Sequence, residues 1–309
     1  MGERFILNSY LNLLDYENRP KFLDKYLLSP SLLRLKNVGY FCGMDYASNE
    51  VYDFLENVSR YDHSLTVALI IWKFTKDIKL TLAGLFHDIS TPCFSHVIDY
   101  MNKDYEKQES TEEKTEEIIM NDSYLLACLE EDGILVDEII DFKRYSIVDL
   151  DRPNLCADRL DGVILTGLFW TKNISIEDVK NIIDDLMIVI NENGQEELGF
   201  KSKEIADLVL KTSELIDIYC HSNEDNYMME LLAKITKIAI DLKLVSYDEL
   251  FTLDEQEVLD RLNNSTDLVL VNNLYLFRNI SISDIPKMEM PYVKIRDLNP
   301  LVLKRRLKQ

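Results

Sequence analysis

A mainly α-helical fold is predicted by two features of the sequence: its scarcity of chain breakers and the helical spacing of its apolar residues. Only nine glycines and seven prolines occur in 309 residues. Ser175 opens the clearest helix, with acidic Glu177 and Asp178 in the first turn, where the helix dipole favours them. Val179, Ile182, Ile183, Leu186 and Ile190 then follow at helical spacing, and Asn193-Gly194 supplies a stop. A second helix begins at Ser202, with Ile205, Leu208, Val209, Thr212 and Leu215 on one face. A third runs from about Tyr227 to Leu244. Strand-like signals are confined to the last quarter: Leu268–Val271, Leu274–Phe277 after an Asn-Asn pair, and the alternating Tyr292–Arg296. They predict a small C-terminal α+β or extended element packed on the helical body. The polar stretch 220–226 is the best break between a helical core (1–220) and a C-terminal region (221–309).

Hydrophobic residues make up 47% of the chain, enough for one large core or two smaller ones. No apolar run approaches the roughly 20 residues of a membrane span, and the N-terminus does not read as a signal peptide. Five scattered cysteines without a CxxC pair predict reduced, buried thiols and a cytoplasmic location. The formal charge of −21 argues against duplex nucleic acid as a tight partner. A small phosphorylated substrate stays open, provided that a basic lining or a metal ion offsets its charge.

Three of the four histidines, His63, His87 and His96, fall close together, and Asp88 directly follows the second. Imidazole with carboxylate suits a borderline or hard divalent cation, and no cysteine cluster favours a thiolate metal. His63 opens one apolar helical run and His87-Asp88 closes another. Two antiparallel helices joined by the short Lys73–Lys79 segment would bring these ends together. A lone histidine on an apolar face is more often a satisfied core residue than a ligand, so the order of motifs decides. His96 and Asp99, three apart, share a helical face on which the carboxylate could fix the tautomer of the imidazole. Arg60, one turn before His63, could hold a phosphate or an active-site carboxylate. The polar stretch Asp104–Glu117 reads as a solvated loop or, alternatively, as a cover over the site.

The order Arg60-Tyr61-Asp62-His63-Ser64, Phe86-His87-Asp88, Phe94-Ser95-His96-Val97-Ile98-Asp99 and Ala157-Asp158-Arg159-Leu160-Asp161 resembles the HD superfamily of metal-dependent phosphohydrolases. The motifs look most like the branch of deoxynucleoside triphosphate triphosphohydrolases, with weaker similarity at Lys294–Pro300. The resemblance implies an HD-domain helical bundle carrying its motifs over residues 60–161. It implies His63, His87, Asp88 and Asp158 as ligands of one divalent ion (Mn, Fe, Ni, Zn, Co or Mg). Such an ion would lower the pKa of bound water and neutralise phosphoryl charge. By the same resemblance His96 and Asp99 line the phosphate site or orient an acid, and Arg159 faces phosphate; Asp161, three residues beyond Asp158, reads as a helix-surface or supporting contact. The implied activity is hydrolysis of a phosphomonoester or phosphoanhydride, with a nucleotide as substrate and a homo-oligomer allowed.

Two departures bear on this. Ser90-Thr91 stand where the triphosphohydrolases have Gly-His, and Gln108-Glu109 where they have His-Glu. Neutral glutamine cannot act as an acid, which leaves Glu109 as the candidate acid or base. The alternative is a catalytically weakened HD protein that binds or senses nucleotides.

Overall fold

The computed structural model describes residues 4–289 and 292–308, and fifteen α-helices dominate it. The helix Arg60–Thr75 opens with a capping box: Ser59 Oγ accepts from Asp62 N at 3.2 Å, and the Asp62 carboxylate accepts from Ser59 N at 2.8 Å. It is buried almost all round from Arg60 to Ile71, as a central core helix must be. Lys76 turns the chain in the left-handed region (φ 53°), and Asp77 then caps the helix Ile78–Phe86 through Leu80 N at 3.0 Å. The two helices pack closely, since a Cβ on Gly84 would fall 2.2 Å from Ile71 Cδ1. Doubling back brings His63 and His87 to one end, their ring centroids 5.2 Å apart. The helix Ala157–Phe169 packs beside Arg60–Thr75 and carries Asp158 and Asp161 in its first two turns.

Two apolar cores form. One surrounds these three helices and takes in the N-terminal Leu7, Tyr10 and Tyr26. The other is built on the C-terminal helices Asn223–Asp241, Glu255–Asn263 and Leu268–Asn279, and draws in Met44, Tyr52, Phe94, Val97 and Tyr100 from the earlier part of the chain. Phe54, Ile118 and Trp170 pack against both cores, and Leu298 returns to the first. The chain does turn between residues 220 and 223, where Ser222 caps the next helix. The two cores nevertheless interlock across that point.

Gly43 sits at this seam with φ +73°, and a Cβ there would meet Phe94 Cδ1 at 2.6 Å and Leu232 Cδ2 at 2.9 Å. Gly43→Ala is therefore expected to cost about 1–3 kcal/mol of stability. Denaturant unfolding checks this, and an unchanged midpoint would refute the packing argument.

The β structure differs from expectation. Ser175 does cap a helix, but it ends at Asp185, and Leu186–Ile190 is a strand. The strand pairs antiparallel with Glu196–Phe200 because Asn191 Oδ1 accepts from Asn193 N and Gln195 N and Gly194 adopts φ +77°, which makes a hairpin turn of the supposed helix stop. Glu196–Phe200 pairs parallel with Leu301–Val302, which pairs antiparallel with Arg305–Arg306. The predicted strands at 268–271 and 274–277 are instead one helix, Leu268–Asn279. Asp267 caps it through Val269 N and Leu270 N, and Leu270, Leu274 and Phe277 form its buried stripe. Tyr292–Arg296 is extended without joining the sheet, because Lys294 N bonds Tyr105 O and Arg296 N bonds the Asp217 carboxylate. No helix among the described residues is long and apolar enough to cross a membrane.

Candidate metal centre and its cavity

His63, His87 and Asp88 offer ligand atoms that all lie within 4.8 Å of one another. His63 Nδ1–H donates to Asp161 Oδ2 at 2.7 Å, which leaves Nε2 facing Asp158 Oδ1 at 3.0 Å and Asp88 Oδ2 at 3.8 Å. His87 Nδ1–H donates to the Gly84 carbonyl at 2.7 Å, which turns its Nε2 toward Asp158 Oδ1 (3.5 Å) and Asp88 Oδ1 (3.7 Å). That Nε2 is buried without a hydrogen-bond partner among the described residues. Separations of 3.0–3.8 Å suit atoms that share one ion through bonds of about 2.1 Å. The donor set fits a single divalent cation. Asp158 also neighbours Asp149 and Cys156, but Arg159 Nη2 stands 3.9 Å from Asp149, a cation beside any second ion.

Supporting contacts fix these side chains. Asp161, fully buried, accepts from His63, Thr66 Oγ1 (2.8 Å) and the Tyr10 hydroxyl. It is thus the buried orienter of His63 and not a helix-surface residue. Asp161→Asn keeps the hydrogen bond but removes the charge behind the imidazole. We expect metal affinity to fall about 10–100-fold, read by titrating the metal-free protein with Mn. Arg60 Nη1 donates to Asp88 Oδ2 at 2.9 Å and Nε to Ser95 Oγ at 3.0 Å, with Tyr40 stacked under the guanidinium. Its guanidinium therefore holds a candidate ligand carboxylate at the edge of the cavity.

The electrostatics follow from this packing. Burial pushes Asp88 up, but His87, Arg60 and His63 outweigh it and hold the carboxyl at about 2. Burial pushes His63 down, yet its bonds to Asp158 and Asp161 and the Asp88 charge raise it from 6.5 to about 10. In the metal-free chain this imidazolium stabilises the fold in full below pH 6.5, and the support is lost as pH climbs through about 10. A bound ion must displace that proton, so metal affinity is expected to tighten as pH rises. Metal titrations at several pH values check this, and a flat dependence would exclude proton release on binding.

The centre opens into a cavity of about 620 Å³. His96, just before the helix Val97–Asn102, lines it, with Nδ1–H donating to the buried Asp99 Oδ2 at 2.9 Å. Asp99 Oδ1 in turn accepts from Ser110 N at 3.0 Å. Residues 106–109, 111 and 112 also line the cavity, so the polar stretch Asp104–Glu117 forms part of its wall. Ser90 Oγ ties that stretch down through the Thr111 carbonyl (2.7 Å) and Thr115 Oγ1 (2.9 Å), which gives one departure from the triphosphohydrolase motif a structural use. Glu109 is exposed at the rim, and the Gln108 amide oxygen lies 3.5 Å from Arg296 Nη2. Arg159 lines the cavity too, but its guanidinium donates to the carbonyls of Leu150 and Asn154 and so clamps that loop.

Sequence reasoning missed most of the basic lining. Lys143, Arg152, Lys294 and Arg296 all face the cavity. Burial, then Arg159 and Arg296, push the Arg152 guanidinium down to about 10, and Lys294 is lowered by burial, Arg152 and Arg296. Cations crowded enough to depress one another suit a bound polyanion. The weak Lys294–Pro300 similarity was the one signal for two of them, whereas Arg152 and Lys143 carry none. An aromatic wall was missed as well. Phe41 and Phe54 stack at 4.2 Å and 10°, Tyr52 continues the stack at 5.5 Å and 18° from Phe54, and Trp170 leans against both Tyr52 and Phe54.

The chain is similar to several known proteins. The HD domain family matches residues 60–163. An uncharacterised Bacillus subtilis protein, YdhJ, is 30% identical over 247 residues, covering 79% of this chain and 71% of that protein. The metal-dependent phosphohydrolase cns2 of Cordyceps militaris is 27% identical over 130 residues, 42% of this chain and 36% of its own length. The crystal structure of a hypothetical protein from Aquifex aeolicus superposes with a TM-score of 0.60 over 84% of this chain and 71% of its own, at 18% identity, a likeness of fold.

Proposed function

The chain belongs to the HD-domain family, and from that premise we propose that it is a metal-dependent phosphohydrolase acting on a nucleotide. The observation that carries this reading is the buried His87 Nε2, without a hydrogen-bond partner among the described residues, converging with His63, Asp88 and Asp158 at a cavity whose lining includes Arg152, Lys294 and Arg296. A divalent ion held there supplies Lewis acidity and charge neutralisation at a phosphoryl group. Arg152, Lys294 and Arg296 bind the remaining phosphate oxygens and orient the ester. His96, its Nδ1–H committed to Asp99, keeps Nε2 to hold or release a proton. The stacked Phe41, Phe54 and Tyr52 rings give the cavity an apolar side against which a base can pack. The Cordyceps militaris relative cns2, a metal-dependent phosphohydrolase, supports the same reaction class.

The test is phosphate release from a panel of nucleotides and aryl phosphates with Mn, Fe, Ni, Co or Mg. Turnover above metal-free controls is expected, and none with any pairing would sink the reading. A second reading has its own observation: Gln108, standing where the resemblance expects a histidine, is buried against Arg296. Such a chain would bind nucleotides without cleaving them, seen as thermal stabilisation without product.

A further inference from the structure

Among the described residues, one half-buried carboxylate of the cavity serves neither the metal centre nor an ion pair. Asp225, in the first turn of the helix Asn223–Asp241, lines the cavity beside Tyr52, Trp170 and Met229. Its backbone is pinned by Ser222 Oγ, which accepts from Asp225 N at 3.1 Å. Its Oδ1 accepts from the Tyr52 hydroxyl at 2.6 Å. Among the described residues no other side chain bonds this carboxylate, and no Lys, Arg or His nitrogen comes within 4.0 Å of it. Burial pushes it up to about 6, with Tyr52, Arg296 and His221 pulling the other way.

Tyr52 joins two features. Its ring continues the stacked wall of Phe41 and Phe54, and its hydroxyl, at the ring's edge, ends on Asp225. A ligand ring packed beside those rings can bring its polar edge to Asp225, while the cations of Arg152 and Lys294 take the opposite charge elsewhere in the cavity. An ionised carboxylate is acceptor-only. It rewards a ligand N–H and leaves a carbonyl or bare ring nitrogen facing a buried acceptor.

We propose that Asp225, held by Tyr52, is a specificity residue that selects nucleotides whose base presents an N–H donor at its edge. This rests on the nucleotide reading above. Within it, a matched pair makes the test: adenosine monophosphate, which carries an exocyclic amino group, and the same nucleotide with unsubstituted purine, which carries no base N–H. With the metal-loaded protein, kcat/KM and thermal stabilisation are measured for both, with 4-nitrophenyl phosphate as a generic ester.

Wild type is expected to favour the amino-bearing nucleotide by about tenfold or more. Asp225→Asn, which offers an amide donor instead, should bring the ratio to near unity or reverse it. Tyr52→Phe, which keeps the ring and frees the carboxylate, should lower the ratio part way. Equal handling of the two nucleotides by wild type, or an unchanged ratio in both variants, overturns the proposal. If the aryl ester is cleaved while neither nucleotide binds or reacts, the phosphohydrolase survives and the base-reading role falls. If no ester is cleaved but the stabilisation ratio behaves as stated, the base-reading role stands and the hydrolase reading falls.

Discussion

Replacing His87 with alanine is expected to strip the protein of its divalent ion and to cut phosphate release by about a thousandfold or more, roughly 4 kcal/mol of barrier. The size follows from geometry. Among the described residues His87 Nε2 has no hydrogen-bond partner to lose, so its removal acts on the ion first, while the Nδ1 bond to the Gly84 carbonyl is a modest structural tie. Metal analysis of the purified variant, beside thermal unfolding of the metal-free forms of both proteins, separates the two effects. Wild-type metal content in the variant would remove His87 from the ligand set.

His96→Gln is the second large effect, a fall in kcat of about 10²–10⁴ with the ion retained. Glutamine matches some of the hydrogen bonding of the imidazole but cannot deliver a proton to a leaving oxygen. The telling readout is the pH–rate profile, which should lose one limb, whereas a loss confined to KM would make His96 a binding residue only. Asp99→Asn should cost less, about 10–100-fold, because it disturbs the orientation of His96 without removing the ring.

What was legible in the sequence is what is local. His63 sits on one helix and His87-Asp88 just past the end of the next, the two helices being joined by a two-residue turn, and the capping residues Ser59 and Asp77 are next to the helices that they start. The helical body follows from the same logic. Short apolar runs failed in both directions. Leu186–Ile190 continues a helical pattern but is captured as a strand by pairing with Glu196–Phe200. Leu268–Phe277 looks β-branched and alternating but is wound into a helix by the Asp267 cap and by core contacts on one side only. The cavity wall was the least legible, since Lys294 and Arg296 reach it through an extended segment held by Tyr105 and Asp217. Nothing in the neighbouring residues specifies where such a segment lies.

That extended segment has a consequence for the order in which the protein becomes competent. During synthesis the residues from Arg60 to Asp161 leave the ribosome early and already contain every donor of the proposed metal centre. Lys294 and Arg296 emerge long afterwards, and the cavity's cationic side is incomplete until they dock. A nascent chain could therefore capture its ion while still unable to hold a phosphate ester, with metal loading preceding substrate competence in the life of each molecule.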